Sequence, residues 1–431
     1  MKRTFKKGVH PNPNKGATQN LAIEVMQKPE QVHISTSMHI GKSAKVCVNV
    51  GDKVSKGQLI AEKDGFVSAN IYSSVSGEVV KIDELRETVM GKATHIVIKN
   101  DGEENAVSFE PIKNADKEQI LKRIELAGIV GMGGAGFPTH VKLSPKEKID
   151  TFIINSAECE PYITCDHRIM LEYTEKVVKG ALLMAKAIGL DSVYFGIEEN
   201  KQNAIDAINE YCKTNSIAGV KVVKLKAKYP QGAEKQLIYA ITRRKVPVGA
   251  LPSSVGCVVD NVHTAYAVYE AVEEGKPLYE RIMTVTGDGV TNPKNLKVAF
   301  GTLFEDIINY CGREEDVEKL ISGGPMMGIT VHTTQCATGK TSSCLLLLSS
   351  KSANTSMPDQ CINCSKCASV CPMRLMPMFI DSALASGDLE QTKALNVMAC
   401  MECGSCAYVC PAHRPLVQTM KLAKKKLREM K

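Results

Sequence analysis

The chain has 431 residues, more than one hydrophobic core normally accommodates, so two to four domains are expected. Its hydrophobic content of 44% and charged content of 23% are typical of soluble globular proteins. No apolar run approaches the roughly 20 residues of a membrane span, and the basic N-terminus lacks the apolar core of a signal peptide. The composition therefore argues against an integral membrane protein and a secreted one, and predicts a cytoplasmic chain.

The formal charge of +7 does not by itself indicate nucleic-acid binding. Eight of the sixteen cysteines lie between Cys361 and Cys410 at metal-ligand spacing, which predicts a reducing compartment. Two oxidised [4Fe-4S] clusters held by eight thiolates would add about −4 and lower the charge to roughly +3. We therefore predict an ordinary solvated surface and no nucleic-acid partner.

Residues 30–100 alternate apolar and polar side chains between Gly-Asp and Ser-Gly turns, which predicts a domain of β-strands. The pattern resembles the barrel-sandwich hybrid of lipoyl and biotinyl domains, which carry a modified lysine at a hairpin tip. Phe66 occupies the corresponding position here, and Lys63 is out of register with it. We therefore predict an unmodified barrel used for docking, within a first domain that covers residues 1–105.

From residue 112 to 277, strand-like and helix-like segments alternate, which predicts an α/β domain with a parallel sheet. One long helix is expected over residues 166–187, where apolar side chains recur at helical spacing. The other expected strands are 151–158, 192–199 and 221–227, and the other expected helices are 117–127, 200–212 and 235–244.

After Pro277 the sequence changes to short strands and one short helix, which predicts a small β-grasp module over residues 278–350. Cys344 to Leu348 is a compact apolar block that suits a buried strand. Residues 349–356 are small and polar and form a linker, and a cysteine-rich domain is expected over residues 355–431.

The stretch GMGGAGFPTHVKL, residues 131–143, contains the G-x-G-x-x-G pattern of dinucleotide-binding loops. A Rossmann loop follows a strand and opens a helix, whereas a helix-like segment precedes this loop and Phe-Pro-Thr-His follows it, so we reject that interpretation. Glycines still allow backbone amides to approach an anion or a flat ring, and a nearby lysine can reach a phosphate. The predicted cofactor-binding residues here are Gly131, Gly133, Gly134, Gly136 and Lys142.

The cysteine-rich domain contains the pattern C-x2-C-x2-C-x3-C-P twice, in residues 361–372 and 400–411. This is the spacing of bacterial ferredoxins with two [4Fe-4S] clusters, in which the fourth cysteine of each run ligates the other cluster. A pair of zinc sites is the alternative, but zinc does not require two four-cysteine runs that each end in proline. The predicted ligands are Cys361, Cys364, Cys367 and Cys410 for one cluster, and Cys400, Cys403, Cys406 and Cys371 for the other.

The glycine loop, followed by NSAECEP at residues 155–161, resembles the FMN- and NADH-binding subunit of respiratory complex I. Nearly the whole chain resembles the RnfC family, whose members are subunits of the Rnf complex, the ion-translocating NAD:ferredoxin oxidoreductase. The resemblance implies a multidomain α+β protein. Its expected parts are an N-terminal barrel-sandwich hybrid, a central α/β domain for FMN and NAD(H) with a parallel sheet, a β-grasp module of the SLBB type, and a C-terminal ferredoxin-type domain with two [4Fe-4S] clusters.

The resemblance also implies an activity. Hydride would pass between NAD(H) and FMN, and single electrons would then pass through the two clusters, coupled by partner subunits to Na⁺ or H⁺ transport. The implied partners are the membrane subunits of the complex, its separate iron–sulfur subunit, NADH and, indirectly, ferredoxin. The implied location is the cytoplasmic face of the cell membrane, with peripheral attachment.

Residue by residue, the resemblance assigns three acidic side chains to the orientation of nicotinamide and ribose, namely Glu158, Glu160 and Glu234. The implied flavin contacts outside the glycine loop are Asn155, Glu158, Tyr229, Asp260, Asn261 and Thr264. The chain departs from complex I in two respects, since residues 232–234 keep only one acid and no aromatic cradle for adenine is evident.

Several of these residues also have an ordinary structural interpretation. Asn155 could cap a turn, Glu158 and Glu160 could be solvated, Tyr229 could belong to the core, and Lys142 could be a surface lysine. Two other functions stay open at this point. One is a soluble flavin and iron–sulfur NADH reductase of the same architecture, similar to cobalamin reductase, and the other is a non-catalytic electron-transfer or scaffold protein.

Overall fold

The computed structural model describes residues 3–89 and 91–430, and the strands of this part of the chain form four sheets. Two antiparallel sheets, ordered β2-β8-β7-β4 and β3-β5-β6, make up the barrel. Val32 faces Ile98 and Ile34 faces Ile96 across β2 and β8, and all four side chains are fully buried, as the apolar alternation predicts. The first eight strands are β1 (Ile23–Val25), β2 (Gln31–Ser35), β3 (Lys45–Val46), β4 (Lys53–Val54), β5 (Leu59–Glu62), β6 (Ile71–Tyr72), β7 (Gly77–Thr88) and β8 (Gly91–Asn100).

The central domain has a four-stranded parallel sheet in the order β11-β10-β9-β12 with helices around it, as predicted. Its parallel strands end at one edge, so the loops that follow β9 and β12 meet there. The elements are α1 (Lys117–Leu126), α2 (Thr139–Lys142), β9 (Thr151–Ser156), α3 (Cys165–Glu172), α4 (Thr174–Ile188), β10 (Val193–Glu198), α5 (Gln202–Thr214), β11 (Val220–Leu225), α6 (Glu234–Thr242), β12 (Cys257–Asn261) and α7 (Val262–Glu273).

The single helix expected over residues 166–187 is wrong, because the chain forms α3 and α4 with a break at Tyr173. Tyr173 has φ of −127° and ψ of 37°, outside the helical region. Its ring packs on Tyr266 of α7, with ring centroids 5.1 Å apart. The tertiary contact decides the break, since apolar side chains continue at helical spacing on both sides of it.

The 278–350 module has a mixed six-stranded sheet in the order β1-β14-β13-β17-β15-β16. Its strands and helix are β13 (Glu280–Thr286), β14 (Lys294–Ala299), α8 (Phe304–Cys311), β15 (Val317–Ser322), β16 (Ile329–Val331) and β17 (Cys344–Ser349). The apolar block from Cys344 is β17, and every residue of that strand is buried, as predicted. One strand of the sheet comes from far away in the sequence, because β1 pairs in parallel with β14. The predicted boundary at residue 105 groups this segment with the barrel, whereas the structure joins it to the module.

The cysteine-rich domain consists of short helices and loops: α9 (Lys366–Val370), α10 (Pro377–Ala385), α11 (Leu389–Ala394), α12 (Ser405–Tyr408) and α13 (Leu416–Glu429). Helix α13 buries Leu416, Met420, Ala423 and Leu427, which recur at helical spacing and pack against the rest of this domain. Within the described residues, no helix combines the length and apolar character that a membrane crossing needs.

Candidate functional site

Two cavities in the cysteine-rich domain are each lined by four cysteine side chains. The inner cavity is lined by Cys371, Cys400, Cys403 and Cys406. The outer cavity is lined by Cys361, Cys364, Cys367 and Cys410. Each cavity combines three closely spaced cysteines with the fourth cysteine of the other run, which is the exchanged arrangement that the spacing predicts. Four thiolates around one space fit a [4Fe-4S] cluster, because thiolate is the soft ligand that iron requires.

The same backbone conformations shape both cysteine runs. Ser365 and Gly404, each directly after the second cysteine of its run, lie in the left-handed region with φ of 60° and 79°. Each of these residues precedes a short helix, α9 or α12, that carries the third cysteine. The sharp turn lets the second and third cysteines of each run line the same cavity.

The two cavities differ in their exposure. Cys361 and Cys364 of the outer cavity are exposed, although Cys367 is only 8% exposed. None of the four cysteines of the inner cavity is exposed, and Cys371 and Cys403 are 8% and 7% exposed. Tyr229 of the central domain packs in one apolar cluster with Cys403. The inner cavity therefore lies against the central domain, while two of the four cysteines of the outer cavity reach the surface.

The glycine loop follows α1 and opens only the four-residue helix α2, which is not a Rossmann arrangement. The amide of Met132 donates a hydrogen bond to Thr264 Oγ1 at 3.0 Å, and this bond fixes the loop to α7. Gly133 lies so close to Asn261 that an added Cβ would come within 2.8 Å of its side chain. Only glycine therefore allows this approach of the loop to the end of β12.

The remaining glycines of the loop have different surroundings. Gly136 has φ of 70°, in the left-handed region that favours glycine, and lies beside the backbone of His39 in the barrel. A Cβ at Gly134 would meet open space. The backbone around Gly134 is therefore accessible, whereas Gly133 and Gly136 are constrained by their neighbours.

Lys142 and Asp260 meet at the carboxyl edge of the parallel sheet. Lys142 Nζ lies 3.9 Å from Asp260 Oδ2 and donates a hydrogen bond to the Val259 carbonyl at 3.1 Å. Gly131 is close by, since an added Cβ would lie 3.7 Å from Lys142 Nζ. Asp260 is 2% exposed, and its Oδ2 has no hydrogen-bond partner among the described residues. A buried carboxylate oxygen without a donor is suited to accept one from a bound ligand.

Asn155 is the penultimate residue of β9 and Asn261 is the last residue of β12, and the two are paired in the parallel register. Asn155 Nδ2 donates to the Gly232 carbonyl at 2.7 Å, and Asn261 Nδ2 donates to Asp166 Oδ2 at 2.7 Å. Burial, together with the adjacent Glu158 carboxylate, raises the pKa of Asp166 to about 6. Both asparagines are held by the chain itself, so their implied flavin contacts stay predictions.

The NSAECEP loop is held by two buried lysines that the sequence analysis did not find. Lys201 is 1% exposed, and its Nζ donates to the Ala157 carbonyl at 2.7 Å. Lys15 Nζ donates to the Glu158 carbonyl at 3.0 Å and lies 3.5 Å from Glu158 Oε2. Neither lysine stands near the loop in the sequence, so their roles depend on tertiary contacts.

Glu158 faces into the protein, not toward solvent. Its side chain is 3% exposed, and its Oε1 accepts a hydrogen bond from the Asp166 amide at 2.7 Å, at the start of α3. The residue has φ of 45°, which reverses the chain after β9. The solvated interpretation of Glu158 is therefore wrong, and the side chain stabilises the first turn of α3.

Glu160 connects the same loop to the 278–350 module. Its carboxylate accepts hydrogen bonds from the amides of Met326 at 3.2 Å and Met327 at 2.9 Å. Burial raises the pKa of Glu160 to about 7, although both amides act in the opposite direction. Glu234, by contrast, is an exposed residue at the start of α6.

Three family models match the chain. They describe an RnfC barrel sandwich hybrid domain over residues 3–103, a Nuo51 FMN-binding domain over residues 124–270, and a 4Fe-4S dicluster domain over residues 354–411. A solved NAD⁺-reducing [NiFe]-hydrogenase has a similar fold, with a TM-score of 0.52 and 19% identity over 73% of this chain and 63% of that chain. The fold and the two cysteine cavities thus define a flavin-domain iron–sulfur protein.

Curated relatives narrow this class to one family. The chain is 45% identical to a subunit of the proton-translocating ferredoxin:NAD(+) oxidoreductase complex of Clostridium ljungdahlii, over 91% of this chain and 86% of the relative. It is 42% identical to the corresponding subunit of the Na(+)-translocating complex of Acetobacterium woodii, over 98% and 97% of the two chains. The equivalent subunit of the ion-translocating oxidoreductase complex of Rhodobacter capsulatus is 40% identical over 98% of this chain and 83% of the relative. The chain belongs to the RnfC family, and the resemblance inferred from the sequence is confirmed.

Proposed function

We propose that this chain is the NAD(H)-binding peripheral subunit of an ion-translocating ferredoxin:NAD⁺ oxidoreductase, the Rnf complex. Relatives that it matches over nearly their full length carry the description of subunits of such a complex. The observation that carries the proposal is the position of the inner cysteine cavity, which lies against a central domain matching an FMN-binding family. This arrangement suits a chain of redox groups that begins in the central domain and continues through the cysteine-rich domain.

The residues at the carboxyl edge of the central sheet fit FMN. Lys142 and the amides of the glycine loop would hold the phosphate, since both supply positive potential to an anion. The unpartnered Asp260 Oδ2 would accept a hydrogen bond from a ribityl hydroxyl. When bound, FMN would exchange hydride with NAD(H) and exchange single electrons with the iron–sulfur clusters.

The chain's own residues position and shield these groups. Thr264 and Asn261 hold the glycine loop and the sheet edge, and Glu160 and Glu234 would orient the nicotinamide nucleotide. The eight cysteines that line the two cavities would ligate two [4Fe-4S] clusters. No side chain has to act as a general acid or base, because hydride and electron transfer need position and charge.

The proposal also includes the domain organisation and the place of the chain in the complex. The domains are residues 1–105, 112–277, 278–350 and 355–431. Residues 23–25, although they belong to the first range, complete the sheet of the 278–350 module. We take this module to be an SLBB-like β-grasp. The exposed outer cavity would exchange electrons with the separate iron–sulfur subunit of the complex, which communicates with ferredoxin. Membrane subunits would hold the chain at the cytoplasmic face and couple electron flow to Na⁺ or H⁺ transport.

The test is anaerobic purification of the chain with its partners, with flavin, iron and sulfide measured on the same sample. We expect FMN, about eight iron atoms per chain, and oxidation of NADH by an artificial acceptor. Co-purified membrane subunits would distinguish the Rnf role from a soluble NADH reductase of the same architecture. Cluster-loaded protein without affinity for FMN or NADH would contradict the proposal and leave an electron-transfer or scaffold protein.

A further inference from the structure

Tyr229 joins the central domain to the loop that carries a cysteine of the inner cavity. The Tyr229 side chain is 1% exposed, and its hydroxyl donates a hydrogen bond to the Cys403 carbonyl at 2.6 Å. The ring lies in an apolar cluster with Val9 and Cys403, and Cys159 and Met326 pack against this cluster. Burial raises the pKa of the Tyr229 hydroxyl, so the group stays a neutral donor.

A second contact fixes the same loop from the 278–350 module. Gly404, directly after Cys403, packs so closely on Met326 that an added Cβ would lie 2.5 Å from the Met326 carbonyl oxygen. The Met326 amide in turn donates to Glu160 of the NSAECEP loop. Tyr229 and Glu160 therefore reach the same cysteine-bearing turn from two sides, one directly and one through Met326.

The outer cavity also has a contact with another domain, because Lys7 Nζ donates to the Ala368 carbonyl at 2.7 Å, directly after Cys367. Among the described residues, however, its second cysteine has no equivalent of the Tyr229 contact. Ser365, the counterpart of Gly404, is exposed, as are both Cys361 and Cys364. The counterpart of Cys403 in the repeated motif is Cys364, and no hydrogen bond from another domain reaches its carbonyl within the described ranges. The Tyr229 contact thus distinguishes two cysteine runs that share the same spacing.

We propose that Tyr229 is a positioning residue that anchors the Cys403 turn to the central domain and raises the reduction potential of the cluster held in the inner cavity. This inference rests on the proposed function, since it requires a cluster at those four cysteines. The Tyr229 hydroxyl places the positive end of its dipole against the carbonyl of a ligand residue, and a positive potential there favours the added negative charge of the reduced cluster. The same bond restrains the turn, so its removal also loosens the backbone around Cys403.

The experiment compares Tyr229→Phe with the wild-type holoprotein under anaerobic conditions, by hydrogen–deuterium exchange and by redox titration of the cluster signals. We expect exchange across residues 401–405 to quicken by about fivefold, as for the loss of one buried hydrogen bond. The potential of the inner cluster should become more negative, while that of the outer cluster stays unchanged. Signals are assigned by comparison with Cys361→Ser, which removes a ligand of the outer cavity.

Tyr266→Phe is the matched control, because Tyr266 is also buried and donates to Glu270 Oε1 at 2.7 Å, away from both cavities. If Tyr229→Phe behaves like Tyr266→Phe in both measurements, the proposal is wrong. If Tyr229→Phe does not fold, Gly404→Ala is the second variant, because it disturbs the same turn through the Met326 contact. We expect hydrogen–deuterium exchange at residues 401–405 to quicken in this variant. Unchanged exchange there would overturn the anchoring role. Both readouts are independent of NADH oxidation, so a cluster-loaded protein that fails to oxidise NADH contradicts the proposed function alone.

Discussion

The inner and outer cysteine cavities have the same motif and the same left-handed turn, but they lie in different surroundings. The inner cavity is covered by Tyr229 of the central domain and by the turn at Met326, whereas two cysteines of the outer cavity are exposed. The repeated sequence therefore specifies two similar sets of four cysteines, and the packing of other domains covers one of them more than the other. In a redox chain, this difference would let the inner cluster exchange electrons with the flavin and the outer cluster exchange electrons with the partner subunit.

The largest effect should come from removing one ligand of each cavity in turn. Cys403→Ser and Cys361→Ser should each reduce the iron content to about half, because each variant loses one of two four-iron clusters. NADH should still reduce the remaining cluster in Cys361→Ser, whereas the remaining cluster in Cys403→Ser should receive few electrons. Iron analysis and spectra recorded after NADH addition measure both effects. If NADH reduces the remaining cluster equally in the two variants, the proposal that electrons reach the inner cluster before the outer one is wrong.

The second prediction concerns FMN binding in the central domain, which should depend on Lys142. Lys142→Ala should weaken FMN binding by about 10- to 100-fold, which corresponds to the loss of one charge-assisted hydrogen bond. Fluorescence titration with FMN measures the change. Lys146→Ala is the control, because Lys146 is exposed nearby. Equal FMN affinity in Lys142→Ala and Lys146→Ala would show that Lys142 does not bind the FMN phosphate.

The stability of the protein should depend on pH through Glu160, which holds the Met326 turn that covers the inner cavity. Burial raises the pKa of Glu160 to about 7 from a usual value of 4.5, so the folded protein binds a proton that the unfolded chain has released between these values. Stability should therefore fall as the pH rises from about 5 to 7, by on the order of 2 kcal/mol. Glu160→Gln, which can still accept an amide hydrogen bond, should lose this dependence. Thermal unfolding at pH 5.5 and pH 8 tests it, and parallel curves for both proteins would contradict it.

The smallest expected difference concerns chemical damage. Ferricyanide should destroy the outer cluster several-fold faster than the inner one, because Cys361 and Cys364 are exposed while Cys371 and Cys403 are buried. Electron paramagnetic resonance during the reaction follows the two signals separately. Loss of both signals at one rate would show that the covering domains do not shield the inner cavity.

The cysteine spacing, the barrel alternation and the central α/β alternation could be predicted because each depends on neighbours close in the sequence. Two runs of four cysteines fix which side chains share a cavity, and alternating apolar residues fix which face of a strand is buried. Family resemblance assigned the glycine loop to FMN and added the residues of the sheet edge. The structure places Lys142, Asp260 and Asn261 together at that edge, although their contacts with flavin stay predictions.

Other features depend on contacts between residues far apart in the chain, and no local pattern predicts them. Tyr173 interrupts a helical pattern because its ring packs on Tyr266, and β1 completes a sheet whose next strand begins at Lys294. Lys15 and Lys201 hold the NSAECEP loop, yet each would be an ordinary surface lysine by sequence alone. The sequence by itself determined which four cysteines share each cavity and the secondary structure of most segments, because both follow from local spacing. Only the tertiary structure decided which cysteine cavity is internal, because burial depends on which domains pack together.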